Sequence, residues 1–83
     1  MNRFIKLDEV RIAANQIVSM CLKEIPHAKH DECMGAIKVL TTCGVEYTKK
    51  YYRDFSISLL MQEREMRNEY RKILDTVERV LEG

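Results

Sequence analysis

The apolar residues of this chain recur mostly at steps of three and four, with few breakers between them. Leu7, Val10, Ala14, Ile17 and Cys21 keep to one side of a helix at 3.6 residues per turn, and Val18, Met20 and Ile25 broaden that face. The spacing predicts a first helix from about Asp8 to Glu24, ended by Pro26, which lacks an amide proton and clashes with the preceding turn. After a short connection, Asp31 is a candidate N-cap, its carboxylate accepting from an orphan amide. A second helix then carries Cys33, Ile37, Leu40, Gly44, Tyr47 and Tyr51 on one stripe. Its weak stretch is Thr41-Thr42-Cys43-Gly44-Val45, all poor helix formers. Either the helix runs through, with Gly44 letting another backbone approach, or the chain kinks or turns there.

The strongest helical pattern lies at the C-terminal end, from Asp54 to Glu82. Phe55, Leu59, Met66, Tyr70, Ile73, Val77 and Val80 fall within a stripe about 80° wide, which becomes a heptad seam from Met66 onward. Glu63 with Arg67 and Asp75 with Arg79 stand at the favourable i,i+4 spacing. The expected fold is therefore all-α: one domain over residues 1–83, a helical hairpin or three-helix arrangement with a long amphipathic C-terminal helix. That helix would be about 43 Å long, against about 30 Å for a compact globule of this size. The first helix is too short to cover both others. In Phe55-Ser56-Ile57-Ser58-Leu59-Leu60-Met61 the apolar groups point all round the axis. Both features imply a homo-oligomeric helical bundle, a homodimer or larger, sealed through the seven-residue stripe in coiled-coil fashion.

Composition bounds the function more than it names it. The 83 residues carry 14 Lys and Arg against 13 Asp and Glu, a net charge of +1, so nothing global draws the chain to nucleic acid or an anionic membrane. Hydrophobic residues make up 46%, too many for a disordered tail. No run approaches the roughly 18 apolar residues that span a bilayer. The charged N-terminus is no signal-peptide core, and three cysteines are an odd number for a disulfide framework. A reducing cytoplasm is the expected compartment.

Two groups of residues are candidates for chemistry. Cys21, His27, His30 and Cys33 are thiol and imidazole donors near one junction, and four such groups can close a tetrahedral zinc site. Their C-x5-H-x2-H-x2-C spacing matches no specific zinc motif, so no cofactor is expected. Small core cysteines with histidines on a loop explain the set as well. Lys49, Lys50, Tyr52 and Arg53 mix cations with an aromatic, as a phosphate or base contact would; a solvated helix face accounts for the charges equally. No glycine-rich phosphate loop, nucleophile elbow or carboxylate pair is present, and no catalytic residue is assigned. Helical hairpins of this size recur among phage-encoded inhibitors, small transcription regulators and secretion chaperones. That fold-level analogy says little about function; the overlong amphipathic C-terminal helix and the absence of catalytic groups favour a protein-binding regulator or inhibitor of bacterial or viral origin. A nucleic-acid or nucleotide binder is the alternative.

Overall fold

The computed structural model, which describes residues 3–82, is mostly β, and the all-α expectation is overturned. Strands β1 (Phe4–Leu7) and β2 (Val10–Ala13) form a two-stranded hairpin, followed by a short 3-10 turn at Ala14–Gln16. Strands β3 (Ile17–Glu24), β4 (Cys33–Thr41) and β5 (Glu46–Tyr52) form an antiparallel meander, and helix α1 (Leu59–Glu82) closes the chain. There is neither a helical hairpin nor a bundle: among the described residues α1 is the one α-helix, and most of the stripe expected as a coiled-coil seam between copies is buried within a single chain.

Composition of the segments explains the correction. Val10, Ile12, Ile17, Val18, Ile37, Val39, Thr41, Tyr47, Thr48, Tyr51 and Tyr52 are β-branched or aromatic, types that lose side-chain freedom in a helix and pack well on a pleated sheet. Burial follows period two along β5, where Tyr47, Lys49 and Tyr51 turn inward and Thr48, Lys50 and Tyr52 outward. They sit opposite Val39, Ile37 and Gly35, the inward positions of β4. Residues 8–24, expected as one helix, instead hold β2, the 3-10 turn and β3.

Turns stand where the chain needs left-handed backbone. Asp8 has φ 56° in the two-residue link between the paired Leu7 and Val10. Pro26 followed by His27 at φ 61° is the type II pattern. Asp31, expected to cap a helix, lies in the same β3–β4 connection at φ 65°. Gly44 has φ 86° in the β4–β5 turn, so of the two possibilities at Thr41–Val45 the chain takes the turn. A side chain at Gly44 would meet only open space. The close approach expected of Gly44 belongs to Gly35, where an added Cβ would strike the Met66 sulfur and lie 2.8 Å from the Lys23 carbonyl.

α1 begins five residues later than expected. Ser58 caps it: its hydroxyl accepts from the Met61 amide at 3.2 Å, and its carbonyl accepts from Gln62. The apolar stripe of the helix is real, and the chain's own sheets cover most of it. Met66, Ile73 and Val77 are buried, and Tyr70 and Val80 pack half-buried against the core. Ile73 and Val77 share one cluster with Ile5, Leu7, Ile12 and Ala14 of the hairpin region and with Ile17, Ile37 and Val39 of the meander. The molecule measures 41 × 22 × 20 Å, and its length accommodates a helix of about 36 Å. The argument that one copy cannot cover this helix therefore loses its premise.

Candidate interaction surfaces

What the sheets leave uncovered is the start of α1 and the loop before it. Phe55, Leu60 and Met61 are 62%, 63% and 62% exposed, and Ile57 and Leu59 are exposed beside them. This apolar knob stands on a built scaffold. The Arg53 guanidinium donates to the carbonyls of Asp54 and Ile57, the latter at 2.8 Å, and to Gln62 Oε1 at 2.6 Å. Gln62 also accepts from the Asp54 amide and donates to the Tyr52 carbonyl. Asp54 Oδ1 accepts from the amide and hydroxyl of Ser56, and those bonds hold its carboxyl below the usual range. The Phe55 amide donates to His30 Nδ1 at 3.2 Å, with the two rings 5.4 Å apart. The loop spends its polar groups on itself and holds its apolar ones out to solvent.

Beside the knob an open cleft of about 910 Å³ runs between β1 and α1, lined by Phe4 and Lys6 of β1, by Ile57, and by Met61, Arg64, Glu65, Glu69 and Lys72 among others. At its inner wall Glu69 ties the helix to β5. One of its oxygens accepts from Lys49 Nζ at 2.7 Å and the other from the Tyr51 hydroxyl at 2.6 Å; Asp8 stands 4.0 Å from the same Lys49. Burial opposes ionisation of Glu69, but the bonds from Lys49 and Tyr51 outweigh it and hold the carboxyl below its ordinary value. Burial, then the hydrogen bond to Glu69, drives the Tyr51 phenol far upward. Sequence reasoning missed Glu69 and Tyr51 as partners. No local signal names them, because the strand register is what turns Lys49 and Tyr51 toward the helix.

The structure divides the expected basic cluster. Lys49 and Arg53 are committed to internal bonds, whereas Lys50 and Tyr52 point away from the helix on the open face of the meander. Of the seven stripe residues, Phe55 and Leu59 remain accessible, and the other five contribute to the chain's own core. The four candidate zinc donors do not converge, and among the described residues no three His, Cys, Asp or Glu side chains are grouped to hold a metal ion. Cys21 projects outward from β3, His27 lies in the turn, His30 is used by Phe55, and Cys33 donates to the Gly35 carbonyl. All three cysteines are free, and no described helix is long and apolar enough to cross a membrane.

The class is thus a small antiparallel β domain with one helix laid along it. The chain matches no family model, no curated protein and no solved structure.

Proposed function

We propose that this chain is a protein-interaction module that binds rather than catalyses, and that the partner seated on its apolar knob is a second copy of itself. The observation that carries this is the run Phe55, Ile57, Leu59, Leu60 and Met61, all exposed on a hydrogen-bonded scaffold. These five side chains, each between 41% and 63% exposed, cluster at the start of α1, and an exposed apolar patch of that kind marks an interaction site. A knob beside a cleft on one molecule is self-complementary under a two-fold axis, each copy filling the other's cleft. A net charge of +1 puts little repulsion between copies. Three free thiols fit the reducing cytoplasm as its compartment.

Sedimentation at micromolar concentration tests the reading. The wild type should run as a dimer, and Leu60→Asp or Met61→Asp should give a folded 9.8 kDa monomer with an unchanged circular dichroism spectrum. A monomeric wild type, or a dimer indifferent to both substitutions, would overturn it.

A further inference from the structure

The meander has two faces, and only one is used by the core. The other can be read off the strand register. Across β3, β4 and β5, Lys23, Ala36 and Lys50 make one row; Cys21, Lys38 and Thr48 make the next; Ser19, Leu40 and Glu46 make the third. Tyr52 lies two residues beyond Lys50 on β5 and is 55% exposed. Three lysines from three different strands therefore meet on one surface, although they are scattered through the sequence. None of them makes an ion pair among the described residues. The face's one carboxylate, Glu46, sits at the opposite end from Tyr52, and Glu24 at the end of β3 is taken by Arg67.

We infer that this open sheet face binds single-stranded nucleic acid. Adjacent strands lie about 4.8 Å apart and alternate residues about 7 Å along a strand, so Lys23 and Lys50 stand roughly 10 Å apart with Lys38 between them one row on. That triangle offers three phosphate contacts, and Tyr52 at its end offers a ring on which one base stacks. The surface favours a single strand over other anions for stated reasons. The face is three strands wide, broader than the two-stranded β-ribbon that the major groove of a duplex admits. Anionic membranes are recognised by clusters of about four to eight cations, more than this face holds. An acidic polypeptide would satisfy the lysines but leave Tyr52 without a stacking partner. The surface is separate from the knob and cleft, which lie on the helix side, so binding here does not depend on self-association.

Fluorescence anisotropy with a labelled single-stranded oligonucleotide tests the inference on the full chain. Dissociation constants should fall in the range of about 10⁻⁴–10⁻⁶ M at physiological salt and be lower at low salt. Three contacts on a single strand give a slope near −2 in log affinity against log salt, or a loss of about twentyfold between roughly 50 and 200 mM. Lys38→Ala or Lys50→Ala should lower that slope by about 0.7, and Tyr52→Ala should weaken binding by about tenfold. These positions face solvent, and an unchanged circular dichroism spectrum verifies folding of each variant. Arg71→Ala, on the exposed side of the helix away from the knob and cleft, should leave binding unchanged. No binding at low salt, indifference to the lysine and tyrosine variants, or equal binding of poly-glutamate with no dependence on Tyr52 would each overturn the assignment.

Discussion

At the scale of single residues, two positions carry unusual constraints. Gly35 has no room for a methyl group because Met66, fully buried, packs its sulfur into the space and the Lys23 carbonyl closes it from the neighbouring strand. Gly35→Ala should cost about 1–3 kcal/mol, as overpacking does, read as a lower urea midpoint. In a Met66→Ala background the same change should cost less, because only the backbone carbonyl still obstructs; equal costs in both backgrounds would show that the sulfur is not the obstacle. His27 is the reverse case. It holds φ 61° at the turn position where glycine is preferred. His27→Gly should raise stability by about 1 kcal/mol in thermal unfolding; a loss would mean that the imidazole makes a contact worth more than the strain.

Between elements, the Glu69 bridge fixes α1 on β5 and makes the docking sensitive to pH. Glu69 titrates below its ordinary value of 4.5 when folded, since Lys49 and Tyr51 together overcome the effect of burial. A depressed folded value gives stability that is complete above the unfolded value and is lost as pH falls through the folded one. Tyr51 works the other way. Its phenol is pushed up, so its contribution is complete below the ordinary tyrosine value of 10 and is lost as the pH climbs above that. Glu69→Gln should cost about 1–2 kcal/mol at neutral pH and flatten the decline of stability below about pH 4.5. Urea titrations of wild type and variant across that range measure it, and parallel acid limbs would sink the assignment. Tyr51→Phe should cost about 1 kcal/mol, because Glu69 then keeps only its lysine bond.

For the whole molecule, the two sides of α1 have different duties. Its stripe from Met66 to Val80 belongs to the chain's own core, so Ile73→Asp should unfold the protein: an unpaired charge at a buried site costs several kcal/mol. Loss of the helical circular dichroism signal would register this directly. Leu60→Asp, on the knob, should leave that signal intact. If Ile73→Asp instead gave a folded monomer from a wild-type dimer, the helix would be sealing a second chain as well as its own sheets.

Some of this was legible without coordinates. The α1 stripe from Met66 to Val80, the ion pairs Glu63–Arg67 and Asp75–Arg79 and the break at Pro26 depend on neighbours within a few positions, and local pattern states them directly. The run Phe55–Met61, expected within a helix and buried all round, instead begins outside α1 with its apolar groups exposed. Strands were not legible because the apolar steps of three and four before residue 52 imitate a helix. Central strand β4 buries Ala36 on its outer face as well as Ile37 and Val39 within, which blurs the alternation that marks a one-sided strand. Only the tertiary structure could decide the rest. Pairing of β3, β4 and β5 is a long-range choice, and it alone puts Lys49 against Glu69, Met66 against Gly35, and Lys23, Lys38 and Lys50 on one face. A strand's register assigns every side chain to one face or the other, and no run of residues read by itself contains that register.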